Sequence, residues 1–212
     1  VSAFLLNRSS DLSLNEVVGG LVEFISRNPY FQRVLAKADT PFESYEELGN
    51  MMCDAFIAEG KADLSFQNAG GVRYEKHDAG DITVADVLRL DPFQNEAIML
   101  QLTGKELAEM MMKCAENDNN GFPYVGGMKV EYTRDKQTGK VTKVTLLDMD
   151  GKKLNMKKTY RVVSNSYTVA VSPTNRKDPG TGMGRVTPEL TMDYLQHQGH
   201  VSYQGVKRLT EK

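Results

Sequence analysis

Two polar turns carry the residues of this chain that are best suited to binding an anionic, aromatic ligand. The first spans residues 68–73 (NAGGVR) and follows a strand-like run over 62–67. Its glycines let backbone amides approach a ligand closely, and Arg73 offers a planar fork of N–H donors that suits phosphate or sugar oxygens. The second turn spans residues 91–95 (DPFQN) and presents the flat ring of Phe93. A Gly-Gly pair is also common at ordinary strand exits, so the first turn indicates a binding site only in combination with the second turn.

Hydrophobic periodicity predicts the elements that position these turns. Helical spacing predicts helices over 14–25, 44–59, 84–90 and 105–116, and a cap at Thr187 followed by Pro188 predicts a last helix to Gln198. Alternating or β-branched runs predict strands over 30–36, 64–66, 97–102, 128–134, 140–147 and 159–164. Gly60 is expected to end its helix in a left-handed cap, and the loop 172–186 is expected to be exposed and mobile. The fold class is therefore α+β.

The order of motifs along the chain resembles the C-terminal domain of the 5'-nucleotidase family. Residues 48–55 (LGNMMCDA), the 68–73 turn, GDIT at 80–83, the 91–95 turn and LTG at 102–104 match the family's patterns in order and at compatible spacing. Residues 126–132 and 160–165 resemble its later strands. The resemblance covers about residues 33–209. It implies a mixed sheet with packed helices over residues 33–212, preceded by an N-terminal extension over 1–32.

The resemblance also implies a nucleotide or nucleoside pocket. The positions that match the family's pocket are Asn68, Gly70, Gly71, Arg73, Phe93 and Asn95. By this likeness Asn68 hydrogen-bonds the nucleoside and Arg73 binds phosphate or ribose oxygens. Phe93 stacks on the base, and Asn95 contacts the base edge or holds the turn. The alternative for Phe93 is a core anchor, because a Phe after a Pro at a helix end is often buried.

Three departures from the family pattern bear on this pocket. Phe42 stands where the family usually has an arginine that helps bind the substrate phosphate. The family's G-G-D-G-[YF] segment, whose aromatic forms the second jaw of the base clamp, is absent after residue 165. Tyr167 is the nearest aromatic there, either as the second jaw or as a strand-end packing residue. Ala69 replaces the first glycine of a triplet, which preserves the turn only if its φ is negative.

The chemistry expected of the family needs a two-metal centre, which this sequence does not encode. A metallophosphoesterase domain carries that centre on Asp-x-His and Gly-Asn-His-Glu segments, and neither occurs here. The chain has three histidines, His77, His197 and His200. His77 lies near the first turn or is simply exposed, and histidine pairs such as 197 and 200 are usually solvated or packed. We therefore expect no cofactor on this chain and divalent metals in a partner phosphoesterase domain or subunit.

Composition bounds the remaining classes. The chain has 212 residues, with 26 basic and 28 acidic side chains and a net charge of −2, which gives no electrostatic case for nucleic acid. No apolar run approaches the roughly 20 residues of a membrane span. The first residue is Val1, which indicates a mature or trimmed chain, and the family resemblance implies a periplasmic or cell-surface location. Cys53 and Cys114 fall in apolar helices and are expected to be buried free thiols.

Two functions remain open from the sequence. The first is the nucleotide-recognition domain of a 5'-nucleotidase-type phosphohydrolase, with the phosphoesterase domain on a separate chain or in an absent part. The second is a degenerate, non-catalytic domain of the same fold that acts as a binding or interaction module. The missing arginine and clamp segment favour the second function, whereas the retained Arg73, Phe93 and Asn95 oppose it.

Overall fold

The structure is a computed structural model that describes residues 14–117 and 121–212, with side chains from residue 18 onward. In these ranges the helices are α1 (Leu14–Arg27), α2 (Pro29–Gln32), α3 (Tyr45–Gly60), α4 (Val84–Leu90), α5 (Gly104–Asn117), α6 (Ser166–Val171) and α7 (Thr187–Gln198). The strands are β1 (Val34–Ala38), β2 (Leu64–Gln67), β3 (Gly80–Thr83), β4 (Glu96–Thr103), β5 (Tyr124–Gly126), β6 (Lys129–Arg134), β7 (Val141–Leu147), β8 (Thr159–Asn165), β9 (Thr181–Val186), β10 (His200–Val201) and β11 (Leu209–Glu211).

A mixed five-stranded sheet, in the order β5-β2-β8-β4-β9, organises the molecule. Strands β2 and β8 are parallel neighbours, so the turns that follow them lie at the same end of the sheet, beyond the carboxyl ends of both strands. Strand β4 runs antiparallel to β8 and pairs Ala97 with Asn165, which puts the turn before β4 at that end too. Two three-stranded sheets, β10-β1-β3 and β11-β6-β7, complete the fold. The α+β class and the mixed sheet with packed helices are confirmed.

Two apolar cores lie beside the five-stranded sheet. One joins α3 and α7 to β1 and β3, with Met52, Phe56 and Leu190 fully buried. The other joins α5 to the sheet and to the β6–β7 hairpin, with Met110 and Val162 among its buried members. Helices α3, α5 and α7 therefore bury apolar side chains in these cores, as their 3.6-residue spacing predicts.

Four local predictions are wrong. Residues 30–36 are not one strand, because Asn28 accepts a hydrogen bond from the Tyr30 backbone N–H and caps the short helix α2. Gly60 is the last helical residue of α3, and Lys61 adopts the left-handed conformation at φ 50°. A Cβ on Gly60 would lie 2.8 Å from Val163 Cγ2, so this glycine allows helix α3 to approach strand β8.

The third wrong prediction concerns the segment 172–186. Its second half is strand β9, which pairs with the free side of β4 and forms an edge of the main sheet. The mobility of the first half stays a prediction. The following helix α7 begins at Thr187, so Val186 rather than Thr187 is its N-cap residue.

The C-terminal segment is attached to α3 by buried charge. Arg208 forms two hydrogen bonds of 2.7 Å to the Asp54 carboxylate and a third, of 2.9 Å, to the Val125 carbonyl. The Tyr203 hydroxyl donates to the same carboxylate at 2.8 Å. Burial raises the pKa of the neighbouring Cys53 thiol, and neither Cys53 nor the buried Cys114 forms a disulfide. Both cysteine predictions are confirmed.

The predicted N-terminal extension lies partly outside the described residues, which begin at Leu14. Its helix α1 leaves Leu21, Val22 and Phe24 more than half exposed. The boundary at residue 33 stays a prediction. Of the helices in residues 14–117 and 121–212, none combines the length and the apolar character needed to cross a membrane.

Candidate functional site

One cavity of about 320 Å³ gathers the predicted site residues. It is lined by Asn68, Gly70, Gly71, Arg73, Phe93, Asn95 and Tyr167. They belong to three segments at the same end of the sheet: the turn after β2, the turn before β4 and the start of α6 after β8. The site residues inferred from two separate turns therefore line a single concave surface, and Tyr167 belongs to it.

The first wall is a short 3-10 turn over Ala69–Gly71, entered through Asn68. Ala69, Gly70 and Gly71 all have negative φ, so Ala69 meets the condition for preserving the turn. The two glycines are therefore not needed for a left-handed conformation. Gly71 is needed for a steric reason. A Cβ there would lie 2.0 Å from the Gln67 side-chain nitrogen, so only glycine fits against that buried amide.

A buried network of polar side chains fixes Asn68. Asn165 Nδ2 donates to Gln67 Oε1 at 2.7 Å and to Asn68 Oδ1 at 2.9 Å. Thr168 Oγ1 donates to Asn68 Oδ1 at 3.1 Å, and the Thr168 backbone N–H donates to Asn165 Oδ1 at 2.7 Å. All four residues are buried. Because the Asn68 oxygen accepts two of these bonds, the network fixes the orientation of the Asn68 side chain at the cavity wall.

Sequence reasoning missed Gln67, Asn165 and Thr168 as positioning residues. The available signal was a polar residue at the end of each of two apolar strands, Gln67 on β2 and Asn165 on β8. Parallel pairing of those strands brings the two ends together. Gln67, Asn165 and Thr168 orient the cavity wall through Asn68 without themselves lining the cavity.

The second wall is the turn before β4, which is attached to helix α7. The Thr187 hydroxyl donates to the buried Asp91 carboxylate, and the Thr187 backbone N–H donates to the Asn95 carbonyl at 2.8 Å. Desolvation raises the pKa of Asp91, although the Thr187 hydrogen bond opposes the shift. Gln94 adopts a left-handed φ of 54°, an uncommon conformation for a non-glycine residue. The turn therefore holds Phe93 out of the core, 47% exposed.

Aromatic and cationic groups face this cavity together. Tyr167 lies in the first turn of α6, after the N-cap Asn165, and is 44% exposed. The alternatives of strand-end packing for Tyr167 and a core anchor for Phe93 are therefore wrong. The Arg73 guanidinium carbon lies 5.5 Å from the centroid of the Phe93 ring. Its Nη1 also donates to the Gly70 carbonyl at 3.4 Å. A flat, positively charged and partly aromatic surface results.

A second, smaller cavity of about 290 Å³ adjoins the first. Gly70 and Arg73 line both cavities, and Tyr45, Ala69, Val72 and Tyr124 complete the second. Arg73 therefore stands between the two and can address a group in either one. This arrangement suits a ligand with an aromatic half and an anionic half.

Other residues considered from the sequence lie elsewhere. Phe42, at the family's arginine position, is buried, stacks on Tyr203 at 5.8 Å and exchanges backbone hydrogen bonds with His77. His197 Nδ1 lies 2.9 Å from Glu59 Oε1, whereas His200 Nδ1 lies 2.7 Å from Asp39 Oδ1. The two histidines thus pair with different carboxylates. In the described ranges no three His, Cys, Asp or Glu side chains lie close enough to hold a metal ion.

Comparison with known proteins gives a consistent family likeness. The sequence profile of the family described as "5'-nucleotidase, C-terminal domain" matches residues 26–172. The chain is 32% identical over 167 residues to the Trifunctional nucleotide phosphoesterase protein YfkN of Bacillus subtilis, covering 72% of this chain and 11% of that protein. It is 32% identical over 155 residues to a 5'-nucleotidase of Vibrio cholerae, covering 70% of this chain and 27% of that protein.

A solved structure shows the same fold. A 5'-nucleotidase precursor from Thermus thermophilus superposes with a TM-score of 0.74 at 23% identity, over 92% of this chain and 43% of that one. At this identity the match concerns the fold alone. The chain spans about a quarter or less of the two relatives above, so most of each relative has no counterpart in it.

Proposed function

The chain belongs to the 5'-nucleotidase C-terminal domain family, and from this premise we propose that it is the nucleotide-recognition domain of a 5'-nucleotidase-type phosphohydrolase in nucleotide catabolism. It supplies the substrate pocket to a metallophosphoesterase domain, on a separate chain or in a part of the protein outside this sequence. The isolated chain binds nucleotide or nucleoside and does not hydrolyse it. By family resemblance its location is periplasmic or at the cell surface.

The observation that carries this proposal is the single cavity formed by the predicted residues. Its volume of about 320 Å³ falls within the range of small-molecule sites, roughly 300–1,000 Å³. Phe93 and Tyr167 are both nearly half exposed there, which leaves the faces of two aromatic rings accessible to a ligand. In the proposal they clamp the base between them.

The anionic half of the nucleotide is assigned to Arg73. A guanidinium forms paired hydrogen bonds to phosphate or ribose oxygens, and the adjoining cavity on the other side of Arg73 leaves room for the phosphate. Asn68 hydrogen-bonds the nucleoside, and Asn95 contacts the base edge or holds the turn. Gly70 and Gly71 let the backbone of the first turn lie close to the sugar.

The chemical step is assigned to the partner domain. Two divalent metals there would lower the pKa of a bridging water and polarise the phosphate. This chain's part is to hold the nucleotide in the orientation for attack by that water, so that a bimolecular reaction becomes effectively unimolecular. No residue of the chain is assigned a catalytic role.

Calorimetric titration of AMP and adenosine into the purified chain tests the proposal. We expect saturable binding with a Kd of about 0.1 mM, because the domain supplies only part of the contacts to the ligand. Tyr167→Ala should weaken this binding severalfold. Phe24→Ala is the matched control, since Phe24 is also exposed but lies on α1 away from the cavity. Absence of saturation at millimolar ligand would count against the proposal.

The alternative of a degenerate, non-catalytic module is favoured by one observation, the burial of Phe42 at the position of the family's phosphate arginine. Under that alternative the cavity residues would be replaceable without loss of any nucleotide affinity. The titrations of wild type and Tyr167→Ala separate the two functions.

A further inference from the structure

A larger cavity, of about 540 Å³, shares helix α6 with the nucleotide cavity. Tyr167 lines the nucleotide cavity, whereas its neighbours Ser166, Val169 and Ala170 line the larger one. The remaining lining comes from Ile98 on β4 and from the loop over residues 173–180. This loop stands where the family's G-G-D-G-[YF] segment would be.

The loop places two positive charges at this cavity. Arg176 and Lys177 both line it. Arg176 is held only by carbonyls of its own loop, with Nε donating to Asp178 O at 3.1 Å and Nη1 to Ser172 O at 3.4 Å. Among the described residues neither cation forms a salt bridge.

The nearby carboxylates are engaged by backbone donors instead. Asp178 accepts the backbone N–H groups of Gln101 at 2.6 Å and Gly180 at 2.8 Å. Glu106 Oε1 accepts the backbone N–H of Lys177 at 3.1 Å, and Glu106 Oε2 binds Thr103. These carboxylates shape the loop and the adjacent helix start. The Lys177 charge also acts on the Glu106 carboxylate, but from beyond salt-bridge distance, so both cations can turn to an anion that enters the cavity.

A buried hydroxyl points to the same kind of ligand. Thr174 Oγ1 is shielded from solvent and has no hydrogen-bond partner in residues 14–117 and 121–212, and Thr174 lines the cavity. Buried polar atoms in folded proteins are almost always satisfied, so an unsatisfied one at a cavity indicates a missing bound group. A phosphate oxygen would accept from Thr174 and from the two cations together.

We propose that this cavity is a second phosphate subsite, which receives a phosphate group that the nucleotide carries away from its reacting 5' end. Its ligand class is a nucleoside bisphosphate or a nucleotide with an equivalent anionic extension. That the rest of this ligand is a nucleotide bound in the first cavity rests on the proposed function above. The affinity of the subsite for phosphate rests on Thr174, Arg176 and Lys177 alone.

Titration of AMP, adenosine 3',5'-bisphosphate and inorganic phosphate into the full chain tests the inference. We expect the bisphosphate to bind about tenfold more tightly than AMP, the gain of one charge-assisted contact. Lys177→Gln and Thr174→Val should each remove most of that difference and leave AMP binding unchanged. Lys143→Gln, which removes a positive charge from β7 outside both cavities, is the matched control.

The outcomes separate this inference from the proposed function. If AMP binds and the bisphosphate binds no better, the subsite is wrong and the proposed function stands. If AMP does not bind but phosphate binds and Lys177→Gln weakens it, the subsite stands and the proposed function fails. Thr174→Val should melt no lower than wild type, because it removes an unsatisfied buried hydroxyl. If Thr174→Val leaves bisphosphate affinity unchanged, the assignment of the subsite is overturned.

Discussion

The guanidinium of Arg73 lies over the ring of Phe93, 5.5 Å from its centroid, and this contact joins the two walls of the candidate site. The pair covers one face of the aromatic ring in the absence of ligand. A base must therefore stack on the opposite face of Phe93 or displace Arg73. In either case Arg73 remains next to the ligand.

Replacing either member of this pair should weaken AMP binding and leave the fold intact. Arg73→Gln removes charge-assisted hydrogen bonds worth about 1.5 to 3 kcal/mol. Phe93→Ala removes a stacking face worth about 1 to 3 kcal/mol by analogy with base-stacking aromatics. Since Phe93 is 47% exposed, its replacement should change the melting temperature little. Calorimetry and thermal melts check both; a loss of about 3 to 5 kcal/mol in stability for Phe93→Ala would indicate a core role instead.

Gly71→Ala should damage the first wall through the buried amide network. The new Cβ would lie 2.0 Å from Gln67 Nε2 and 2.9 Å from Asn68 Oδ1. We expect a loss of about 1 to 3 kcal/mol in unfolding free energy, together with weaker AMP binding, as measured by denaturant titration and calorimetry. The control is Gly20→Ala on α1, where nothing lies within 4 Å of the added Cβ. It should stabilise by about 0.5 to 1 kcal/mol. Equal effects at both positions would contradict the explanation.

Asp91→Asn should alter the pH dependence of stability. Burial raises the pKa of the Asp91 carboxyl in the folded chain. The unfolded chain therefore loses this proton first as pH rises, and Asp91 destabilises the fold progressively from about pH 4 upward. The Asn oxygen can still accept from Thr187.

The difference in unfolding free energy between Asp91→Asn and wild type should therefore shift in favour of the variant between pH 4 and pH 7. Urea titrations at a series of pH values measure it. A shift in the opposite direction would mean that the charged carboxylate is stabilised in place.

Arg208→Met should be among the most destabilising single substitutions. Arg208 is buried and bonded twice to the partly buried Asp54, so its removal leaves that carboxylate without its counter-charge. Breaking such a pair costs about 3 to 5 kcal/mol. The matched control is Arg161→Met, which breaks the exposed pair with Asp63 and should cost under about 1 kcal/mol. Similar costs for both in urea unfolding would refute the distinction.

The purified chain should hydrolyse no AMP when Mn²⁺ or Zn²⁺ is added. Its described residues offer no cluster of metal-ligating side chains, and the reaction needs a metal-activated water. Phosphate release is the measurement. Arg73→Gln, purified in parallel, reveals contaminating phosphatase, because turnover that is equal in both preparations does not come from this site. Turnover that is lost in Arg73→Gln would sink the prediction.

The sequence predicted the residues that line the candidate site better than the buried residues that position them. The two turns were recognisable because short motifs around Arg73 and Phe93 keep their spacing. Gln67, Asn165 and Thr168 were missed, because they meet only when β2 and β8 pair across nearly 100 residues, and local periodicity does not register such contacts. Strand β9 was missed for a different reason. Its sequence, TGMGRV, has low intrinsic strand propensity and is ordered by pairing with β4.

The parallel pairing of β2 with β8 has a consequence for how the pocket comes into being. Asn165 bonds to Gln67 across 98 positions of the chain, so closing that long loop must precede any fixed geometry at Asn68. A ribosome-bound fragment that ends before Thr159 would contain Arg73 and Phe93 but present no finished cavity. Ligand affinity at this cavity should therefore report on the closure of that loop, because the cavity walls are incomplete until β2 and β8 have paired.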